Sequence, residues 1–410
     1  MIVKLKLLKS MNKKIFTMAA LTAVFGTTFT SCSNSDDDLT RGGSVIKDMS
    51  KVITANAYMD NPASPRSYAA NENDIKTDGM LVWAFDATRE NAITDANDFF
   101  MGTPAAGLAH TWDADNSWFK ADKDYFWPEY KLNFVAITPR TGGGIGEVNI
   151  KQPAKSGTTL QKPVMTVKVD VPRTTESNGT YGADTQKDIM IASIDDQTPL
   201  TNQSAAFTFK HALSQIVFKG GVDAQTTIHR AVVKSIKLVN IASDGTITYT
   251  AATDAFAASE WGDKNKTYAA NIKNKEVTAK IGYANSDLDE TPNNISGQDN
   301  NATGRDYQMM IMPQQSVVCT GVTSGVNISQ KTQPTAGTYL LVNADLYANG
   351  NNSNKILENT TNVYIPLEQT TWMPGYKYIY LLKFGDNLLS PITFTATVAP
   401  WTNANKPVEF

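Results

Sequence analysis

An alternation of apolar and polar residues with a period of two recurs from residue 44 onward, and it constrains this chain more than any other feature. "VITANAYM" puts Ile53, Ala55, Ala57 and Met59 on one side of an extended backbone and Thr54 and Asn56 on the other. "MLVWAF" aligns Leu81, Trp83 and Phe85, and "YKLNFVAITP" aligns Tyr130, Leu132, Phe134 and Ala136 before Pro139 stops it. "VMTVKVDVP" sets Met165, Val167, Val169 and Val171 against Thr166, Lys168 and Asp170. Successive side chains of a strand point to opposite faces, so these runs read as half-buried antiparallel strands, each with one wet face. The second half continues in the same style with "FTFKHAL", "SIKLVNI", "TYLLVNADLYA", "GYKYIYLLKF" and "PITFTATVAPW".

The fold class expected is therefore all-β. Short strands with turn signals and no fixed-period blade motif favour a sandwich over a propeller. A chain of 410 residues exceeds one ordinary core and suits two. Polar "SIDDQTPLTNQ", residues 193–203, is the expected linker, which gives β-sandwich domains at 44–197 and 198–410. Residues 285–305, rich in Asn, Asp and Gly, read as a long surface loop.

Thirty-seven Lys and Arg against 40 Asp and Glu leave a net charge of −3, with no basic surplus to displace the counterions of a nucleic acid. The three histidines, His110, His211 and His229, have no metal-ligand spacing to one another or to Cys319, and H-E-x-x-H and C-x-x-C are absent; neither a metal nor a cofactor is expected. Asp113 and Asp115 in "DADNSWFKADKD" lack the glycine and terminal Glu of a calcium loop and read as a polar turn. Gly142, Gly143, Gly144 and Gly146 follow no phosphate-binding pattern and read as a flexible turn. His211 shares a parity with Phe207, Phe209 and Leu213, while Ile216 and Phe218 have the other, which suggests a bulge. With no nucleophile or second ligand near it, His211 is expected to be a hydrogen-bonded core residue.

The first residues are an address. "MNKKIFTMAALTAVFGTTFTSC" has Lys13 and Lys14, an apolar run from Ile15 to Phe29, and Thr30 and Ser31 before Cys32. That run is too short to span a bilayer and reads as a secretory signal. Met11 could be the initiator in place of Met1. The small residues before Cys32 resemble a lipoprotein signal, which implies residues 1–32 as signal and Cys32 as the acylated residue anchored in the outer membrane. Ser33 to Asp38 begins an acidic tether over residues 33–43; it resembles the export signal of surface-displayed lipoproteins.

In order along the chain come Cys32, a first strand ending near "SPRSY", "WFKADKDYFWPEYKLNFVAITP", "DIMIAS", "FTFKHALSQIVFK", "MMIMPQQ", and "WMPGYKYIYLLKF" before a last strand ending in Pro400 and Trp401. The run Trp127, Pro128, Leu132, Phe134, Ala136, Pro139 and the F-x-H-A-L run around His211 carry most of the likeness. The chain resembles the fimbrillin family of Bacteroidales, the subunits of type V pili. That resemblance implies two transthyretin-like antiparallel β-sandwich domains in tandem and no enzymatic activity. It also implies other pilus subunits as head-to-tail partners and an Arg-specific maturation protease. Cleavage is expected after Arg66, in a polar stretch beyond the first strand, with Arg41 as the alternative.

The removable strand would carry Ile53, Ala55, Ala57 and Met59 inward, at a sheet edge where it completes the first sandwich only provisionally. A neighbour's strand would replace it by strand addition. Ile392, Phe394, Ala396 and Val398 match that alternation, so the C-terminal segment is the candidate donor; it reads equally well as an ordinary last strand. A second reading is a monomeric surface lipoprotein that binds a glycan or host protein through Trp112, Trp118, Tyr125 and Trp127. A glycan-active enzyme has least in its favour.

Overall fold

The computed structural model describes residues 52–59, 72–172, 186–198, 204–222, 228–269, 275–278, 309–348, 360–384 and 393–400. All lie within one unit, Asp48–Phe410. A closed barrel is built from seven strands in the order β1 (Thr54–Met59), β4 (Trp118–Ala121), β3 (Leu108–Asp113), β2 (Met80–Asp86), β5 (Leu132–Thr138), β8 (Met190–Gln197) and β9 (Ser204–His211). A second sheet orders β13 (Ala255–Ser259), β12 (Asp244–Thr250), β7 (Val164–Asp170) and β6 (Ile145–Lys151).

A third sheet orders β16 (Met309–Ile311), β10 (Ser214–Val222), β21 (Tyr376–Phe384) and β22 (Thr393–Pro400). A fourth orders β14 (Lys266–Ala269), β11 (Ile228–Ile241), β18 (Tyr339–Ala348) and β19 (Thr360–Pro366), with β15 (Lys275–Thr278) also on β11. The short β17 (Gln314–Gln315) pairs with β20 (Thr371–Trp372). One helix, α1 (Glu72–Asp78), precedes β2. The all-β expectation holds. Two pairings, β1 with β9 and β10 with β21, are parallel rather than antiparallel.

The alternation maps onto burial most cleanly at β7, where Met165, Val167 and Val169 are buried and Lys168 and Asp170 exposed. At β2 and β5 the expectation of one wet face fails. Met80, Val82, Ala84, Leu132, Phe134 and Ala136 fill the barrel core. Their alternate neighbours Trp83, Phe85, Val135 and Ile137 belong to a larger core shared with the other sheets. These two strands are walls between two apolar volumes, and a strand buried on both faces loses its polar register. Each large side chain so buried contributes roughly 1.5–3 kcal/mol.

The stretch expected to be a linker is corrected in part. Residues 193–197 complete β8, which pairs with β5 and β9. Two of its polar side chains are met by partners, while Asp196 is exposed. The Ser193 hydroxyl lies 2.8 Å from that of Tyr249, and Asp195 pairs with Lys162. The sheets also draw strands from both sides of residue 198, since β9 closes the barrel and β12 pairs along β7.

The glycines after Pro139 form a tight connection rather than a flexible one. Gly142, Gly143 and Gly144 all have positive φ (85°, 68° and 83°). A Cβ on Gly144 would lie 2.0 Å from the Asp170 carbonyl oxygen, and the Asp170 N–H donates to the Gly144 carbonyl at 2.9 Å. Gly144→Ala is expected to cost about 3 kcal/mol through left-handed strain and backbone displacement. Urea unfolding measures it, and a loss under about 1 kcal/mol would refute the account.

Candidate assembly site at the first strand

β1 owes its place to its small inward side chains. Ile53 and Ala55 are 4% and 1% exposed, Ala57 is half-buried against the barrel core, and Tyr58 on the other face is exposed. On one margin β1 runs parallel to β9 through six paired positions, from Thr54 with Ser204 to Met59 with Phe209. On the other it meets β4 antiparallel, with Ala55 opposite Phe119. Val52 bridges Phe126, and the Ile53 N–H donates to the Tyr125 carbonyl at 2.8 Å.

The expectation of an edge strand is therefore wrong. β1 is bonded on both margins and closes the barrel. The reason is that Ala205, Phe207 and Phe209 of β9 present an apolar face beside it, which an open edge would leave in water. An account in which β1 peels from a free edge does not apply. What the geometry contains instead is a strand-shaped slot between β4 and β9, filled by β1. Sequence reasoning missed its walls, because nothing local announces that residues 54–59 pair with residues 204–209.

The chain turns sharply at the foot of β9. His211 is the last residue of that strand and is buried, and its Nδ1–H donates to Asp188 Oδ2 at 2.5 Å. The core-histidine expectation is met. The suggested bulge is instead a change of sheet. β9 ends at His211 and β10 begins at Ser214 in another sheet, so Phe207 and Phe209 fill the barrel while Leu213, Ile216 and Phe218 fill the larger core. The Ala212 N–H donates to the Ile189 carbonyl and the Gly375 N–H to the Leu213 carbonyl, each at 2.8 Å. These bonds fix the corner.

At the other end of the chain, β22 is the last strand of its sheet and pairs antiparallel with β21 through eight positions. Phe394 is opposite Leu382, Ala396 opposite Tyr380 and Val398 opposite Tyr378. Cys32, Arg41, Arg66 and Ile392 lie outside the described residues, as do the side chains of Met59, Phe394, Ala396 and Val398.

Of the aromatic residues considered as a binding platform, Trp112, Tyr125 and Trp127 are engaged by the barrel, and Trp118 is half-buried. Trp127 is buried edge-on to Phe134 (5.8 Å between centroids), and Trp112 packs edge-on to Phe119 at 5.2 Å. The Lys76 ammonium of α1 lies 4.4 Å from the Trp112 ring centre. Asp113 is a turn residue, accepting from the Asp115 N–H (3.1 Å) and the Asn116 side-chain amide (2.9 Å); the Asn116 bond holds its carboxyl below the ordinary range. His110 is buried with Nδ1 3.0 Å from the Leu108 carbonyl oxygen, and burial lowers its pKa. Cys319 is a free, buried thiol that donates to the Thr338 carbonyl. Among the described residues no group of three or more His, Cys, Asp or Glu could hold a metal ion. Among them, too, no helix is long and apolar enough to cross a membrane.

Among curated proteins none matches the sequence. Of solved structures, a fimbrial protein from Bacteroides vulgatus is 16% identical, with a TM-score of 0.52 over 86% of this chain and 100% of that one. The tip fimbrial protein Mfa3 from Porphyromonas gingivalis, truncated at its C-terminus, is 11% identical, with a TM-score of 0.35 over 86% of this chain and 99% of that one. The first of these shows a shared fold. The model of the fimbrillin-like family matches residues 68–401, which hold every strand from β2 to β22, so the chain belongs to the fimbrillin-like family and is a structural protein rather than an enzyme.

Proposed function

We propose that this fimbrillin-like protein is a structural or adhesive subunit of a cell-surface pilus. It would reach the outer membrane as a lipoprotein acylated at Cys32, be cut after Arg66, and join its neighbours by accepting a strand into the β1 slot. One observation carries the reading. The only strand that precedes the family-matched stretch among the described residues is β1, which occupies a groove whose walls belong to distant parts of the chain. Arg66 lies between β1 and α1 in sequence, so a cut there severs β1 from the rest of the barrel. A cut at Arg41 would leave β1 attached.

Losing β1 bares the ladder groups of β4 and β9 together with the apolar surface of Phe119, Phe207 and Phe209. A slot with two such margins offers an incoming strand two ladders rather than one, so strand addition there recovers both sets of hydrogen bonds. Donor on one face and acceptor on another make a head-to-tail contact, which propagates as a filament.

Treating the purified precursor with an Arg-specific protease tests this. The expected result is a ladder of oligomers that survives mild denaturant, lost in Arg66→Ala and retained in Arg41→Ala. A chain that is cut at Arg66 and stays monomeric at high concentration would overturn the reading and favour the monomeric surface lipoprotein.

A further inference from the structure

We infer that β13 is a docking edge for an extended segment of another protein, uncharged in its middle and basic at both ends, with β1 left in place. β13 is outermost in its sheet, and β12 is its one paired neighbour among the described residues. Its residues, Ala255, Phe256, Ala257, Ala258 and Ser259, carry no charge. The outermost strands β6, β16 and β19 are, by contrast, guarded. On β6 the Ile150 N–H donates to the Pro104 carbonyl at 2.9 Å, the register shifts between Ile145 and Val148, and Glu147 and Lys151 are exposed. The Gln186 amide stands beside β16 as a strand would, donating to the Met310 carbonyl and accepting from the Met310 N–H, each at 3.1 Å. Tyr364 of β19 exchanges two backbone bonds with Gln330, at 3.0 and 2.8 Å. An uncharged margin without such cover is a ready template for strand pairing.

The geometry limits what fits. Asp254 and Glu260 have φ of 48° and 52°, so the extended backbone stops at both ends and a partner pairs over five residues. Phe256 and Ala258 are half-buried on the face that carries Ile247 and Tyr249, with the Phe256 ring 5.2 Å from that of Tyr249. Ala255, Ala257 and Ser259 are exposed on the other face. An incoming strand therefore sets β-branched residues beside Phe256 on one side and meets no bulk on the other. A second copy's β13 is a poor occupant. Antiparallel pairing centred on Ala257 sets Asp254 of each copy against Glu260 of the other, and parallel pairing in register sets each acid against itself. Like charges placed opposite one another are destabilising, and basic residues at the ends of the partner reverse the sign. Asp254 already pairs with Lys210, whereas Glu260 accepts from the Thr246 hydroxyl at 2.8 Å, so Glu260 carries more of the preference. One short ladder makes the contact weak and reversible.

The test uses the uncut, full-length chain and the synthetic peptide Lys-Thr-Val-Thr-Val-Thr-Lys, blocked at both termini. The peptide should bind saturably and slow hydrogen exchange at alternate amides of residues 255–259, since every second residue of an edge strand directs its N–H outward. Methylating the backbone nitrogens of all its threonines, or of both valines, blocks opposite margins of the peptide. One of these variants should lose binding by about tenfold or more, and the other should stay within about threefold of the parent. Replacing both lysines by glutamates should weaken binding about fivefold or more at low salt, and Glu260→Gln in the protein should shrink that difference. Absence of binding, equal binding by the two methylated peptides, or unchanged exchange at residues 255–259 overturns the docking edge. Equal binding of the lysine-ended and glutamate-ended peptides overturns the chemistry assigned to the partner. Dimerisation that slows the same amides without any peptide overturns the choice of occupant in favour of a second copy.

Discussion

Trp83→Ala should lower the unfolding free energy by about 4 kcal/mol. The expectation follows from where β2 stands. Trp83 is fully buried in the larger core, on the face of β2 opposite Val82 and Ala84, which fill the barrel. Its indole N–H donates to the Thr103 carbonyl at 2.8 Å. Two glycines let the backbone lie directly against the ring. A Cβ on Gly102 would sit 2.7 Å from the indole Cδ1, and one on Gly107 would sit 2.8 Å from Cη2. Truncation thus leaves a cavity walled partly by main chain, which cannot collapse as a ring of flexible side chains would, so the cavity term stays near its upper range. It also leaves the Thr103 carbonyl without this donor. Trp83→Phe keeps most of the volume and should cost about half as much. Urea unfolding followed by circular dichroism reads both variants. A cost below about 1 kcal/mol for the alanine variant would mean that β2 is not the shared wall described above.

That wall also explains how far the sequence could be read. Where a strand has one wet face, as at β7, alternation identifies the inward residues one by one, Met165, Val167 and Val169 among them. Where both faces are apolar, as at β5, every residue from Leu132 to Thr138 is buried, and the pattern hides the second core. Alternation likewise cannot say which strands are neighbours. The pairing of β1 with β9 joins residues about 150 apart, and nothing in "VITANAYM" distinguishes a strand at an edge from one that closes a barrel.

Polarity misleads in the same way when partners sit elsewhere in the chain. "SIDDQ" reads as a linker until Tyr249 and Lys162 are seen beside Ser193 and Asp195. Parity did carry a long-range hint at His211. The switch from Phe207 and Phe209 to Ile216 and Phe218 marks the point where the chain leaves one core for the other. A one-residue phase change fits a change of sheet as well as a bulge, and only the spatial arrangement separates the two.

Emptying the β1 slot should destabilise the barrel by an amount comparable to the whole stability of a typical domain, on the order of 5 kcal/mol or more. Burial of Ile53 contributes roughly 2–3 kcal/mol, and Ala55 and Ala57 add smaller amounts. Phe119, Phe207 and Phe209, all fully buried with β1 in place, lose part of their cover as well. The ladder groups of β4 and β9 regain water, so their loss adds only about 1 kcal/mol per bond. Chain nicked after Arg66 and stripped of β1 in mild denaturant should melt well below the uncut protein and bind a hydrophobic dye. Adding back a peptide spanning residues 50–60 should reverse both changes. Nicked, stripped chain with an unchanged melting temperature would show that β1 contributes nothing to the barrel. If the loss is as large as its buried contacts require, the opened subunit sits near the limit of folding. Under the proposed strand exchange, an opened barrel with no strand to receive would aggregate, so cutting and the arrival of a neighbour's strand would have to be coupled in time.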